Sequence, residues 1–360
     1  MIASRAEAGK VSGIGEYTAG YLAEMHSRWR SVFGMLSAFL QGKPLSLGNF
    51  WNPRLAAGIK RWLAQEDIEA VIVFSSSMAP YVQDADLPLK IMNFCDVDSQ
   101  KWEDLAQKSS GLKRWIYRRE GKLLAKYEAQ LSERFDASCF VTGKEAELFR
   151  RRCPPSRPVV LPNGVDSEFF GAVKPDPQPW HFAFVGIMDY APNIAAALFF
   201  AEEILPKLAR AHGEAHFTIV GGRPSARISA LARQGNITVT GYVDDVRPYL
   251  AKASAVVVPL AIARGIQNKI LEAMAAGIPV ITSPAAAAGL PPQAVEGLTV
   301  RPLHAEAWLE TLEDLHAHAA AYREKAKGGQ AFIAAQMSWQ ASVAVLEGLL
   351  QAKPETVQPL

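Results

Sequence analysis

The sequence predicts an α/β protein of two domains, the second of them Rossmann-like, from three observations. In the second half, short apolar runs alternate with longer helical stretches, the pattern of a parallel, doubly wound sheet. The first half has fewer such runs, set among long helices. Between the halves lie Leu161-Pro-Asn-Gly-Val-Asp166 and the proline-rich Lys174-Pro-Asp-Pro-Gln-Pro179, punctuation typical of a domain boundary.

Strands are expected in the first half at 70–74, 90–94 and 138–142, and in the second at 181–185, 216–220, 237–240, 255–258, 280–282 and 298–300. Helices are expected at 193–212, 227–233, 246–252, 269–276 and 305–336. The domains therefore run over 1–165 and 166–336, with a last helix over 337–350 and a frayed tail from Lys353. Near the start, the segment 11–22 has the character of a glycine loop and helix, but no apolar strand precedes it. The first domain is thus expected to be incomplete at its N-terminus. The segment 29–40 and the basic stretch Leu112-Lys-Arg-Trp-Ile-Tyr-Arg-Arg119 read as amphipathic helices, suited either to an anionic membrane surface or to a solvated face over an ordinary core.

A chain of 360 residues with 49% hydrophobic and 21% charged residues has the composition of a soluble globular protein, and a net charge of +2 argues against a dedicated nucleic-acid binder. Cys95, Cys139 and Cys153 lack metal-ligand spacing and read as reduced thiols. No apolar run is long enough to span a bilayer, and Met1 to Lys10 lacks the apolar core of a secretory signal. The expected location is cytoplasmic, with any membrane contact peripheral.

The strongest local signal is Ala261-Ile-Ala-Arg-Gly-Ile-Gln-Asn-Lys-Ile-Leu-Glu-Ala-Met-Ala-Ala-Gly-Ile-Pro-Val-Ile-Thr-Ser283. A strand delivers the chain to Gly265, a helix is expected to open there, and Gly277-Ile-Pro279 ends it. Strand, glycine loop and helix N-terminus make an anion site. Lys269 falls in the first turn, and Glu272 follows where a carboxylate can accept two hydrogen bonds from a vicinal diol. Phosphate plus ribose implies a nucleotide.

This segment resembles the nucleotide-sugar site of the retaining GT-B glycosyltransferases of family 4, the glycosyl transferases group 1. Their pattern is a Glu, seven residues, then a second Glu followed by Ala-Met-Ala-x-Gly-x-Pro-Val. Glu272 stands at the second glutamate, and Arg264 replaces the first, which in the family contacts the donor sugar. The string Leu161-Pro-Asn-Gly-Val-Asp166 resembles the family's interdomain connection. The resemblance implies two Rossmann-like domains facing a cleft, a terminal helix that crosses back to the first, and transfer with retention of configuration. It also implies no cofactor and no metal, a nucleotide-sugar donor, and a glycan or lipid-linked acceptor. Ile187-Met-Asp-Tyr-Ala-Pro-Asn193 lacks the basic residues usual after the first turn and is similar to the exosortase-associated sugar transferases, which implies bacterial exopolysaccharide synthesis.

On this reading the leaving diphosphate would be stabilised by Lys269, by Arg264 and by the turns at Gly186 and Gly265. Gly241-Tyr-Val243 corresponds to a segment near the base, which makes Val243 a base-packing candidate. Arg223, after the strand ending at Val220, is either a donor contact or a solvated loop cation. Asp96 ends a strand of the first domain and is expected to orient the acceptor hydroxyl. Asp96 and Asp98 could also suggest a metal, but two carboxylates are an incomplete set, and Asp98 is equally an N-cap for the next helix.

Other functions fit less well. A sugar-nucleotide epimerase would need carboxylates and histidines flanking Gly265, and a Rossmann dehydrogenase a Gly-x-Gly-x-x-Gly after a strand; neither is present. A nucleotide-sugar-binding protein without turnover stays open because of Arg264 and the short N-terminus.

Overall fold

The computed structural model describes residues 2–3, 12–263 and 265–351. The chain divides into two compact units, one holding the described residues up to Leu161 and from Glu347, the other Pro162–Leu346.

The main sheet of the first unit is parallel, with strands β3 (Ala70–Phe74), β4 (Leu89–Cys95), β5 (Ala137–Phe140) and β6 (Pro158–Val160) in sequence order. A separate two-residue ladder pairs β1 (Ile2–Ala3) with β2 (Glu24–Met25). The expected helix after Val11 is not found: Ser12–Glu16 is a single 3-10 turn, and the first α-helix described is Arg28–Leu40. Val11 itself lies outside the described residues, as does the tail from Lys353. β6 was hidden in the sequence because Pro158 and Pro162 made its three residues look like linker. Phe94 stacks on Phe140, and Phe149 packs tilted against both, in this unit's core.

Two buried glutamates on the long helix Gly111–Arg134 hold this unit together. Glu120 accepts from the amides of Leu45 (2.7 Å) and Ser46 (2.9 Å) and from the Ser46 hydroxyl (2.7 Å), capping the helix Leu45–Phe50 from outside. Glu128 accepts from the Ser99 amide (2.9 Å) and hydroxyl (2.5 Å) at the start of the helix Asp98–Gln107. Each carboxylate thus meets the free amides of a helix N-terminus, where negative charge is favoured. The expectation that Asp98 caps this helix is corrected. Val97 occupies the cap position, and Asp98 is the first helical residue, accepting from the Ser76 hydroxyl at 3.4 Å.

The second unit's sheet is also wholly parallel, in the order β12-β11-β10-β7-β8-β9, where β7 is His181–Val185, β8 His216–Val220, β9 Ile237–Val239, β10 Ala255–Val258, β11 Val280–Thr282 and β12 Thr299–Val300. The first strand in the chain is central, and the order reverses between β7 and β10, as in a doubly wound Rossmann sheet. Burial on both faces explains the near-continuous apolar runs of β7, β8 and β10. The expected helix over 305–336 is interrupted at His318, giving Ala305–Ala317 and Ala319–Gln336. The expected helix over 193–212 carries a π-helical turn at Phe200–Ile204.

Burial raises the Glu128 carboxyl from an ordinary 4.5 to about 7, against the lowering effect of its bonds from Ser99. Between those values the folded protein retains a proton that the unfolded chain has released. The group's contribution to stability is therefore greatest below pH 4.5 and declines as pH rises to about 7. Glu128→Gln, which still offers an acceptor to Ser99, should flatten this decline in thermal melts recorded across that range. An unchanged pH profile in the variant would show that Glu128 does not titrate there.

Candidate functional site

Ligands of doubly wound sheets bind beyond the carboxyl ends of the strands, where the strand order reverses. Here that point lies between β7 and β10 and gathers the loops at Gly186 and Gly265 with the helix Asn268–Ala275.

The loops are drawn together by backbone contact. Gly186 donates its amide to the Val220 carbonyl (2.9 Å), Met188 donates to Gly222 (2.9 Å), and Gly221 donates to Gly241 (3.2 Å). Gly221 adopts φ +147°, and a Cβ on it would overlap the Gly186 carbonyl oxygen. On the other side Gly265 adopts φ +59°, and a Cβ on Gly289 would overlap its carbonyl oxygen. At Gly221 only glycine allows both the approach and the conformation.

The helix does not open at Gly265. It begins at Asn268, with Gln267 as cap residue, because Gly265 is left-handed and turns the chain before helical geometry starts. Lys269 nevertheless falls in the first turn. Its ammonium donates to Asn193 Oδ1 at 2.9 Å and lies 5.2 Å from the centroid of the Phe184 ring. Asn193 is buried and donates its Nδ2 to the Ile187 carbonyl at 3.0 Å, so the amide fixes the lysine to the loop after β7. The packing around Gly186 is equally close, since a Cβ there would lie 2.8 Å from Asn193 Nδ2 and 3.3 Å from Lys269 Cε.

Burial lowers the Lys269 ammonium from 10.5 to about 8, with Glu272 pulling the other way. Burial raises the Glu272 carboxyl, while Lys269 lowers it. Among the described residues no hydrogen bond of the Glu272 carboxylate is found. A cation short of water beside a half-buried carboxylate suits an anionic ligand that also offers hydroxyl donors.

The other candidates are spread out. Arg223 adopts φ +57° and its guanidinium reaches Asp189 at 3.3 Å, an exposed pair on the rim rather than a partner of Lys269. Val243 is half-buried in the loop that Gly241 turns with φ +71°. Arg264 lies outside the described residues. Asp96 belongs to the first unit, after a bulge in β4 where Cys95 takes φ +65°, and its amide donates to Phe94 at 2.9 Å. Burial raises the Asp98 carboxyl, against the lowering effect of Lys101. Among the described residues no group of three or more His, Cys, Asp or Glu side chains is placed to hold a metal ion.

Sequence reasoning did not assign Asn193 to the site. A polar residue directly after Pro192, opening an otherwise apolar helix, was the available signal for Asn193.

Residues 179–318 match the family model for glycosyl transferases group 1. The matched segment lies within the second unit. HepE from Anabaena, solved in complex with UDP and glucose, superposes with a TM-score of 0.64 at 13% identity, over 95% of this chain and 89% of its own. Sucrose-phosphate synthase from Thermosynechococcus elongatus gives 0.60 at 18% identity, over 82% of this chain and 76% of its own. WaaG, a glycosyltransferase involved in lipopolysaccharide biosynthesis, gives 0.58 at 18% identity, over 85% and 84%. No curated protein matches the sequence significantly. At these identities the structural likeness shows the fold, which is GT-B. That fold and the matched domain together indicate a glycosyltransferase.

Gly221→Ala combines an unfavourable φ with overlap onto the Gly186 carbonyl. It should cost about 2–4 kcal/mol of stability by denaturant titration, more than an ordinary surface glycine. A loss under about 0.5 kcal/mol, the range of neutral surface changes, would mean that the loop junction is not tight.

Proposed function

We propose that this protein transfers a sugar from a nucleotide-sugar donor to a glycan or lipid-linked acceptor, with retention of configuration and without a metal ion. The observation that carries the proposal is the Lys269 ammonium, short of water and fixed by Asn193 beside the glycine loops of the switch point. As the bond from the sugar's anomeric carbon to the diphosphate breaks, negative charge grows on the leaving oxygen. A preorganised ammonium and nearby backbone amides stabilise that charge more than they stabilise the intact donor. Glu272 would accept from the ribose hydroxyls and so position the nucleotide. The UDP and glucose held by HepE support a nucleotide-sugar donor. The exopolysaccharide context rests on the character of residues 187–193, and the role of Asp96 towards the acceptor hydroxyl rests on the family resemblance alone.

Arg264 at the family's first glutamate favours a second reading, a nucleotide-sugar-binding protein without turnover. A panel of nucleotide sugars, scored by thermal shift and by donor hydrolysis in the presence of chelator, separates the two. Hydrolysis in chelator supports the metal-free transferase; binding without hydrolysis or transfer supports the binder.

Glu272→Ala should weaken nucleoside diphosphate binding by about 1.5–3 kcal/mol, the scale of a hydrogen bond to a charged group. Isothermal titration measures it, and unchanged affinity in a folded variant removes Glu272 from the site.

Lys269→Ala should lower turnover by about 10² while diphosphate affinity falls less. Because burial lowers the Lys269 ammonium to about 8 in the free protein, wild-type kcat/KM should fall as pH rises through about 8. Lys269→Arg should move that fall to higher pH. Equal losses in rate and affinity for Lys269→Ala would make the lysine a docking cation only.

A further inference from the structure

The helix Arg28–Leu40 turns its small and polar side inward and its bulky apolar side to water. Ser31 and Ala38 are buried, and the Ser31 hydroxyl is bonded to Asn49 Oδ1. Gly34 lies so close to Gly48 that a Cβ on either would overlap the other's carbonyl oxygen. With that face committed to a glycine seam, residues 29, 32, 33, 36 and 40 form a single outward stripe at helical spacing. Trp29 is 77% exposed, Phe33 67% and Leu40 78%, with Val32 and Leu36 also exposed. A continuous apolar patch of this kind marks an interaction surface.

The patch continues onto the first turns of Gly111–Arg134, where Leu112 and Trp115 are exposed. Trp115 packs edge-on against Phe39 at 6.2 Å, and the Arg119 guanidinium lies over the same ring at 4.6 Å. Arg119 also donates to the Phe39 and Lys43 carbonyls, both at 3.3 Å, which ties the two helices together.

Charge decides the occupant. Across residues 28–43 and 111–126 every exposed charge is positive, including Arg28, Lys113, Arg114, Arg118, Lys122 and Lys126. The one carboxylate in these segments, Glu120, is buried and caps a helix. A second copy of this face would bring like charges together, whereas anionic lipid would neutralise them. Among the described residues no helix is long and apolar enough to cross a membrane. We propose that this face lies on an anionic lipid surface, with Trp29, Phe33, Leu36 and Leu40 entering the headgroup region and the surrounding cations meeting lipid phosphates. Lys43 and Lys126 also line a hollow of roughly 800 Å3 with Ser37 and Gln41, which extends the cationic rim beside the stripe. The inference does not depend on the transferase reading.

Flotation of the full chain with phosphatidylcholine vesicles, with and without phosphatidylglycerol, tests it. Wild type should float only with the anionic vesicles, and high salt should weaken the association. Trp29→Ser with Phe33→Ser should lower partitioning about tenfold or more, and so should Lys113→Glu with Arg118→Glu. All four side chains are exposed or at the surface, and unchanged melting curves would show that both variants fold; if one does not, the other decides. Absence of wild-type flotation, or flotation unaffected by both variants, overturns the proposal. Sedimentation analysis adds a further overturning outcome, a dimer that Trp29→Ser with Phe33→Ser dissociates while vesicles stay unbound.

Discussion

The second unit is organised around keeping one ammonium partly out of water. Lowering the Lys269 group from 10.5 to about 8 corresponds to roughly 3 kcal/mol of unfavourable charging. One amide oxygen and the face of one ring offset only part of what water would have supplied. An incoming anion restores the balance, so the site favours a negative ligand before any shape is considered. Gly186 and Gly221 serve the same end, because a Cβ on Gly186 would press on Asn193 and Lys269, and one on Gly221 would press on the Gly186 carbonyl.

The parts of this arrangement that were legible in sequence are those with a period or a punctuation mark. Alternating apolar runs announced the parallel sheet, and Gly277 and Pro279 announced the end of the helix carrying Lys269 and Glu272. What escaped were relations between segments distant in sequence. Asn193 meets Lys269 from another loop, and Gly221 meets Gly186, neither of which a local pattern encodes. The helix expected at 269–276 is found at Asn268–Ala275, but the left-handed turn at Gly265, which keeps the helix from opening at the glycine, has no local signature. Asp98 does not act as the cap because the Ser99 amide takes its acceptor from Glu128, on a helix that follows it in the chain.

The first unit was less legible because its glutamates work against their local context. In a strongly basic helix, Glu120 and Glu128 look like ordinary surface counter-charges, yet both are buried and each serves the N-terminus of a different helix. The exposed stripe on Arg28–Leu40 was similarly ambiguous, since amphipathic spacing does not say which side faces inward. The glycine pair at 34 and 48 settles it, and that pairing is again a relation between two segments.

One consequence concerns cooperativity. Since a single helix supplies the acceptors for both the Leu45–Phe50 and Asp98–Gln107 termini, neither can keep its cap if Gly111–Arg134 unwinds. The layer bearing the apolar stripe and the layer packed on the sheet are therefore coupled through one backbone. Local opening at either place should register in the hydrogen exchange of the other, making the helix a mechanical strut between a surface and a core.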